Sequence, residues 1–405
     1  MKITIIGAGI SGLLNAYYLV KAGYEVEIFE QSNDAGGLIK TKQTEYGPMD
    51  YAASSLVNSS VFEALFDGIG LELANKSSLA KVKNIYRGSM KRWPLGMLES
   101  LRFAVGILAL MISKDKGLNK ERTIDDWGNA HLGKAGYRYL LETFLQGVYA
   151  GDGKKMSAPL ILGSIFNRKK SKNKKTKPKI RGSVMPINGM EELIDKLVAY
   201  LEKNYVKINY SSLIDAKDID TRQPTIIATS APAAGKILNE MGIKAGRKLE
   251  SIEMLNLASV HLVFNEEKPL FNGFGCLFPV SEGFNSLGIL AGQNAFPNEY
   301  SKPVERWIIG GAHNNDILSL DDEAIIQLAL ADRKKLTKEQ LEPINSYVLR
   351  RPQSLPHYTA ELKQILDNLT LPPNLFLAGN YLGGIGLSAI MKQSKTMAER
   401  ISKTT

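Results

Sequence analysis

The sequence predicts an α/β fold organised around a parallel sheet, and three adjoining segments at its start indicate this. An apolar strand, Ile3–Ile6, runs into the glycine-rich turn GAGISG, and a helix over Leu13–Ala22 follows, ended by Gly23. The alternating segment Tyr24–Glu30 is predicted as a second strand. Strand, helix and strand in this order form a βαβ unit, whose two strands lie parallel in one sheet.

The turn inside this unit has the spacing of a dinucleotide-binding loop. Gly7 permits the tight turn, Gly9 lets the backbone approach a pyrophosphate, and Gly12 lets helix and strand pack closely. The N-terminus of the helix then faces the phosphates. Glu30, at the end of the second strand, stands where an adenosine ribose needs an acceptor for its hydroxyl groups. We therefore expect a Rossmann-like nucleotide site, with an ordinary βα turn as the alternative.

Composition excludes several kinds of chemistry. The chain has 405 residues and 44% hydrophobic content, enough for two or three domains with their own cores. Its single cysteine, Cys276, excludes an internal disulfide, a multi-cysteine zinc site and an iron–sulfur cluster, and the four histidines show no metal-ligand spacing. Redox chemistry would then need an organic cofactor. The net charge of +10 favours an anionic partner.

Later segments continue the nucleotide-binding pattern and indicate which cofactor is bound. They comprise the glycine pair Gly36 and Gly37, a turn at Glu45–Asp50, a strand over Pro224–Ser230, a strand over Asn374–Asn380, and the segment Gly383–Ser388, which leads into a helix. Together they resemble the FAD-binding parts of the flavin amine oxidase superfamily. The resemblance implies FAD as the cofactor.

The middle of the chain narrows this resemblance to one family. The segment Gln146–Ser157 contains GVYAGD and looks like a signature of the protoporphyrinogen oxidase family, and Gly273–Pro279 resembles its GFGxLxP strand. Further segments resemble the family in the same order along nearly the whole chain: Ser286–Gly288, Ala295–Pro297, Gly310–Ala312 and Leu355–Tyr358.

The resemblance implies an FAD-dependent oxidoreductase of heme biosynthesis. Its substrate would be a porphyrinogen, protoporphyrinogen IX or coproporphyrinogen III, oxidised to the porphyrin with oxygen as the acceptor. Six electrons would leave in three flavin cycles, each yielding peroxide. The cofactor carries this chemistry, so we expect no catalytic side chain, in agreement with the absence of a Ser/His/Asp or Cys/His arrangement.

The resemblance also implies the binding residues. Lys83 would hold a propionate of the substrate, with Arg87 and Lys91 as alternatives. The pyrophosphate would lie at the glycine loop, the ribose at Glu30, the adenine at Leu213, and the flavin against the second glycine pair and the C-terminal segment. The full set of cofactor residues is Gly7, Gly9, Ile10, Ser11, Gly12, Glu30, Gln31, Gly36, Gly37, Lys40, Gly47, Pro48, Met49, Asp50, Leu213, Gly379, Asn380, Gly386, Leu387 and Ser388.

The chain departs from the family pattern mainly in its C-terminal third. The family usually has an aromatic residue near Arg351, a glutamine at His357, and Gly-His in the stretch 359–361, which here reads Thr-Ala-Glu. A glycine is expected at Ser394, and a basic residue is common at Leu38. Two alternatives therefore stay open: an amine-oxidase-like or desaturase-like FAD oxidoreductase acting on another apolar substrate, and a non-catalytic flavin- or porphyrin-binding protein.

Two segments bear on location. The apolar run Phe103–Ile112 is too short to span a bilayer, and is either a buried helix or a surface that dips into one leaflet. The segment Arg168–Lys179 is so rich in lysine that we expect a loop, either solvated or attracted to anionic lipid. No aromatic residue interleaves its lysines, which argues against nucleic acid. We expect a cytoplasmic protein, with a peripheral position on the inner face of the membrane as a further possibility.

These segments predict an FAD-binding Rossmann-like domain assembled from discontinuous parts of the chain, residues 1–80, 182–250 and 352–405. A helical insert, residues 81–181, would carry the membrane-associating surface. A mixed-sheet substrate-binding domain would occupy residues 251–351. The oligomeric state is left open by the sequence.

Overall fold

The strands form one parallel sheet, one mixed sheet and two short two-stranded sheets. The computed structural model describes residues 1–166, 177–265 and 270–404. Its strands are β1 (Lys2–Ile6), β2 (Glu25–Phe29), β3 (Thr41–Thr44), β4 (Gly47–Asp50), β5 (Leu56–Val57), β6 (Lys83–Tyr86), β7 (Met90–Lys91), β8 (Ser183–Val184), β9 (Lys207–Asn209), β10 (Thr225–Ile227), β11 (Met254–Val263), β12 (Gly275–Leu277), β13 (Ser286–Ala291), β14 (Val304–Gly310), β15 (Asn345–Pro356) and β16 (Leu375–Leu377).

Helices cover both sheets and form a separate helical layer in the first half of the chain. A π-helical turn, Tyr137–Glu142, joins two of them. The helices are α1 (Ile10–Lys21), α2 (Ser60–Ile69), α3 (Met97–Ile112), α4 (Ile124–Gly136), α5 (Thr143–Tyr149), α6 (Ala158–Phe166), α7 (Glu191–Lys203), α8 (Ala231–Glu240), α9 (Ala245–Glu250), α10 (Gly292–Ala295), α11 (Asp322–Thr337), α12 (Ala360–Asp367) and α13 (Leu387–Thr404).

The parallel sheet confirms the predicted βαβ unit. Its strand order is β16-β10-β1-β2-β9, and every neighbouring pair is parallel. Ile3 and Ile5 of β1 are fully buried, and α1 packs against α7 and α13 over the same core. Helix α1 begins at Ile10 rather than at the expected Leu13, because Gly9 already has the extended backbone of an N-cap. The carboxyl ends of β1, β10 and β16 meet at one edge of this sheet.

The mixed sheet lies beside it, with the strand order β15-β11-β14-β13-β12-β6-β7. One face packs on α11 around the fully buried Trp307. Strand β6 comes from the region expected to be a helical insert and pairs in parallel with β12, and β15 crosses the expected boundary at residue 351. The domain boundaries themselves stay a prediction.

One predicted turn is a strand in the structure. The segment Glu45–Asp50 was expected to be a turn, but only its first part turns, and Gly47–Asp50 pairs with Thr41–Thr44 as a hairpin. Gly47 has φ +122°, which lets the chain reverse, and the three residues after it are buried. The predicted turn therefore extends over four residues that belong to β4.

The helical layer exposes apolar surface. In α3 only Gly106 and Leu110 are buried, so the buried-helix interpretation of its apolar run is wrong. Among the residues that the structure describes, no helix combines the length and apolar character that crossing a membrane requires. Most of the lysine-rich segment, residues 168–176, lies outside the described residues.

Candidate active site

The first glycine loop holds open a space beside the sheet. A Cβ at Gly7 would lie 2.7 Å from the carbonyl oxygen of Ala228, and one at Gly12 would lie 1.9 Å from that of Gly7. A Cβ at Gly9 would meet no atom within 4 Å. The fold itself therefore requires Gly7 and Gly12, whereas Gly9 borders open space large enough for a ligand to approach the backbone.

Glu30 lies beside this loop, as the sequence predicts. Its Oε2 accepts a hydrogen bond from the backbone N–H of Ala8 (2.7 Å), and its Oε1 accepts one from Ser32 (2.9 Å). Its carbonyl oxygen accepts a bond from Ser212, which precedes the 70% exposed Leu213. The structure thus brings the expected ribose and adenine residues together, and it leaves an apolar side chain uncovered where a flat base could pack.

The second glycine pair packs against the first loop. The N–H of Gly36 donates to the carbonyl oxygen of Ala8 (2.9 Å), and a Cβ at Gly37 would lie 3.4 Å from the Cα of Gly9. Both residues have positive φ, +105° and +60°. Lys40 follows, but its ammonium forms an ion pair with Asp34 (2.5 Å). The glycine pair therefore extends the same open space.

Asp50 is a buried carboxylate at the junction of the two sheets. Its Oδ1 accepts hydrogen bonds from the hydroxyl of Thr41 (2.6 Å) and the N–H of Met190 (2.9 Å). Its Oδ2 lacks a hydrogen-bond partner among the described residues. Burial raises its pKa to about 6, an effect that these bonds and the nearby Arg306 partly oppose. Met49, in contrast, packs in an apolar cluster and presents no polar side-chain group to a ligand.

The C-terminal segment closes the site from the third side. The hydroxyl of Tyr358 donates to the carbonyl oxygen of Asn380 and accepts from the N–H of Gly384 (3.0 Å). Helix α13 then begins, with Gly386 exposed just before it and space around its missing Cβ. A small cleft between α1, the end of β16 and α13 is lined by Ser11, Asn15, Leu377, Ala378, Gly379, Ile390, Gln393, Ser394 and Met397.

His357 ties the GVYAGD segment to the mixed sheet. It is fully buried, its Nδ1 lies 2.7 Å from Oε2 of Glu253, and its Nε2 lies 3.2 Å from the N–H of Asp152. A neutral ring that donates through Nδ1 and accepts through Nε2 satisfies both contacts. Beside it, the rings of Tyr149 and Tyr358 meet edge to face at 4.9 Å. In this protein His357 positions two segments of the site.

The three cations considered for the substrate differ in availability. Arg87 is held by Glu99 through two bonds of 2.5 and 3.0 Å, and hydrogen bonding from Arg87 lowers the pKa of Glu99 to about 2. Lys83 and Lys91 are exposed on the strands β6 and β7, and neither ammonium has a hydrogen-bond or ion-pair partner among the described residues. Lys83 is thus available to a carboxylate, and Arg87 is already occupied.

Two buried arginines of the mixed sheet lie near the site: sequence reasoning missed Arg306, and it named Arg351 only as a departure from the family pattern. Arg306 on β14 and Arg351 on β15 are 4% and 7% exposed. Arg306 donates to the carbonyl oxygens of Tyr51 (2.9 Å) and Ala52 (2.5 Å), and its Nη1 donates to the hydroxyl of Ser54. The mostly apolar sequence around Arg306 in β14 is the signal that could have revealed it, whereas β15 is half polar and carries no such signal for Arg351.

Comparison with known proteins agrees with this geometry. The chain is similar to the mitochondrial protoporphyrinogen oxidase of Nicotiana tabacum (24% identity, 99% of this chain and 94% of the relative) and to coproporphyrinogen III oxidase of Bacillus subtilis (25%; 97% and 96%). Its fold matches a solved structure from Exiguobacterium sp. 255-15, provisionally assigned as a protoporphyrinogen oxidase, with TM-score 0.77 at 20% identity over 100% of this chain and 99% of the other.

The family assignment follows from the extent of one further match. The profile of the flavin-containing amine oxidoreductases covers residues 10–391, from the glycine loop into α13. This range includes the end of the first glycine loop, the second glycine pair, the buried Asp50 and the C-terminal segment, and the predicted cofactor is confirmed as FAD. The chain belongs to the flavin-containing amine oxidoreductase family and is an FAD-dependent oxidoreductase.

Proposed function

We propose that the protein oxidises a porphyrinogen, protoporphyrinogen IX or coproporphyrinogen III, to the porphyrin in heme biosynthesis, with oxygen as the electron acceptor. The observation that carries the proposal is the extent of the similarity. The two relatives named for porphyrinogen oxidation align with 99% and 97% of this chain, and therefore with the mixed sheet and the helical layer as well as the nucleotide-binding part.

The cofactor residues have the arrangement that FAD needs. Gly9 leaves its backbone open to a pyrophosphate, and the N-terminus of α1 supplies N–H groups toward it. The Glu30 carboxylate would accept the ribose hydroxyls, and the exposed Leu213 would cover the adenine. The ring system would then extend past Gly37 toward the C-terminal segment near Gly386.

When bound, FAD would supply the hydride acceptor for oxidation of a methylene bridge of the porphyrinogen. The protein binds and orients the substrate beside the cofactor, and no side chain has to act as a nucleophile. The N-terminus of α13 would stabilise negative charge on the reduced ring. On the substrate side, α5 packs on β12 through Gly147 and Leu277 and leaves Phe144 and Val148 exposed, which suits a flat apolar macrocycle.

Lys83 would bind a propionate of the substrate. Its side chain is exposed and unpaired among the described residues, on a strand that pairs with β12 of the GFGxLxP segment. A charge-assisted contact of this type contributes about 1.5–3 kcal/mol. Because the propionate is remote from the reacting bridge, this contact would favour substrate binding rather than the chemical step.

We also propose that α3 attaches the protein to the cytoplasmic face of a membrane. Four apolar side chains of this helix are 55–76% exposed: Leu98, Leu101, Val105 and Leu108. They follow one another at intervals of three or four residues, so they lie on one face of the helix. Arg102 and Lys114, near this apolar face, would meet anionic headgroups. An uncovered apolar face of this length suits the interfacial region of one leaflet.

A second candidate function keeps the same cofactor and changes the substrate. His357 stands at a position where the family pattern has glutamine, and it forms hydrogen bonds with Glu253 and Asp152. This part of the site therefore differs in chemistry from that of a typical member. An amine-oxidase-like or desaturase-like reaction on another apolar molecule would follow from such a change. A protein that binds flavin or porphyrin without turnover is the remaining alternative.

A turnover assay tests the proposal. FAD-loaded protein is mixed in air with each porphyrinogen, and porphyrin fluorescence and peroxide are followed together. We expect porphyrin to form faster than in a matched sample of the Gly9→Val variant, with three peroxides per porphyrin. Oxidation of both porphyrinogens at the variant's rate would overturn the proposal in favour of the other substrate class or the binding protein.

A further inference from the structure

Arg351 is a buried cation to which the described part of the chain supplies no counter-ion. Its Nε and Nη2 are buried and lack a hydrogen-bond partner among the described residues. Leaving a guanidinium in this state costs several kcal/mol, so folded proteins pair such groups. Burial, and secondarily the positive charge of Arg306, lowers the pKa of Arg351 to about 9. The described residues therefore leave these N–H groups free to meet an anion or a hydrogen-bond acceptor of a ligand.

The neighbouring Arg306 does not compensate the unpaired positive charge of Arg351. Arg306 is saturated by the carbonyl oxygens of Tyr51 and Ala52 and by the hydroxyls of Ser54 and Ser259. The nearby acid, Asp50, interacts with Arg306, and its own pKa is raised to about 6. Asp50 thus offsets the charge of Arg306 alone, Arg351 experiences the repulsion of Arg306, and the region keeps an excess of positive charge.

The backbone places Arg351 between the loops that border the cofactor space. Three residues after it, the carbonyl oxygen of Ser354 accepts a hydrogen bond from Nδ2 of Asn380 (3.1 Å), in the C-terminal segment. On the other side, Arg306 donates hydrogen bonds to the carbonyl oxygens of Tyr51 and Ala52, the two residues that follow Asp50. The two unpaired N–H groups therefore lie on the mixed sheet where it meets the nucleotide-binding part of the molecule.

We propose that Arg351 donates its unpaired N–H groups to the ring system of FAD and stabilises the reduced cofactor. Reduction by one hydride equivalent, which is one proton and two electrons, adds one negative charge to the ring. A guanidinium beside the ring stabilises this charged form more than the neutral oxidised form and so raises the reduction potential. The proposal rests on FAD, which the family assignment establishes, and is independent of the identity of the substrate.

The test measures the reduction potential of bound FAD in Arg351→Met, by reductive titration against a reference dye. Loss of a charge-assisted contact should favour the oxidised form by about tenfold to a hundredfold, which lowers a two-electron potential by about 30–60 mV. Arg351→Lys, which keeps the charge, should fall between wild type and Arg351→Met. If Arg351→Met does not retain FAD, the potential is measured in Arg351→Gln instead.

The matched control is Arg350→Met on the same strand. Arg350 is paired with Asp322 (2.6 Å) and with the carbonyl oxygens of Leu318 and Leu320, so its loss removes the same charge without changing the potential. A potential in Arg351→Met equal to that of wild type would overturn the proposal. If the KM for a porphyrinogen rises while the potential stays constant, Arg351 binds a carboxylate of the substrate instead, and the proposal fails.

Discussion

Replacing Gly9 by valine should abolish FAD binding without disturbing the apoprotein. Gly9 has φ −66° and ψ 170°, a conformation that valine adopts without strain. An added Cβ meets no protein atom within 4 Å, so the folded apoprotein can accommodate the side chain. The space that valine fills is the one a pyrophosphate needs in order to reach the backbone of the loop.

The size of the effect follows from the contacts that would be lost. Each hydrogen bond from a backbone N–H to a charged phosphate contributes about 1.5–3 kcal/mol. Losing two of them weakens binding by about 3–6 kcal/mol, or roughly a hundredfold to ten-thousandfold in Kd. In wild type, FAD at a hundred times its Kd should stabilise the fold by about 2.7 kcal/mol. For a chain of 405 residues, this raises Tm by about 3 °C.

The assay compares thermal unfolding of each protein with and without FAD, together with the flavin absorbance retained after gel filtration. Wild type should be yellow and gain stability from FAD. The Gly9→Val variant should be colourless and should unfold at the temperature of the wild-type apoprotein in both conditions. The matched control is Gly12→Ala, whose Cβ would lie 1.9 Å from the carbonyl oxygen of Gly7 and should destabilise the apoprotein itself.

Two results would refute this reasoning. Retention of FAD by Gly9→Val at wild-type stoichiometry would mean that the pyrophosphate does not approach the loop at this residue. A Gly9→Val apoprotein that unfolds several degrees below wild type would mean that the space around Gly9 serves the fold rather than the ligand.

Three further predictions follow from the site and the surface. Lys83→Ala should lower kcat/KM for the porphyrinogen about tenfold to a hundredfold, mainly through KM. Arg87→Ala should leave KM unchanged, because Arg87 is held by its ion pair with Glu99. Steady-state kinetics that show the reverse would disprove this assignment. Leu101→Glu should reduce sedimentation of the protein with anionic liposomes at low salt. Ile344 is also exposed but lies outside α3, so Ile344→Glu should not reduce it. Equal sedimentation of the two variants would exclude α3 as the membrane contact. Because the folded pKa of Asp50, about 6, exceeds its unfolded value near 3.8, the folded state binds an extra proton between these values, and stability falls by up to about 3 kcal/mol as pH rises through this window. Asp50→Asn should flatten that slope in urea unfolding of the apoprotein measured from pH 4 to 7, and an unchanged slope would contradict the assignment.

The parts of the site that sequence predicted are those set by local geometry. The turn at Gly7, the close packing at Gly12 and the acid at Glu30 are fixed by their spacing within one βαβ unit, and the structure brings them together. The similarity of later segments to a known family then supplied the cofactor. Their roles toward individual atoms of FAD stay a prediction.

The parts that sequence missed depend on contacts between distant segments. The hydrogen bonds of Arg306 reach backbone atoms about 250 positions away, and His357 meets Glu253 across 104 positions. No local pattern encodes such pairings. The exposure of α3 was also undetermined, because an uncharged apolar run such as Phe103–Ile112 has the same sequence pattern whether it is buried in protein or covered by lipid.

The most direct test of the central claim is rapid anaerobic mixing of FAD-loaded protein, in excess, with protoporphyrinogen IX or coproporphyrinogen III. Porphyrin formation removes six electrons and each FAD accepts two, so we predict that three flavins are bleached for each porphyrin that forms. Without oxygen the bleached state should persist, and admitting air should restore the colour. Flavin that stays oxidised with both porphyrinogens would contradict porphyrinogen oxidation by this protein.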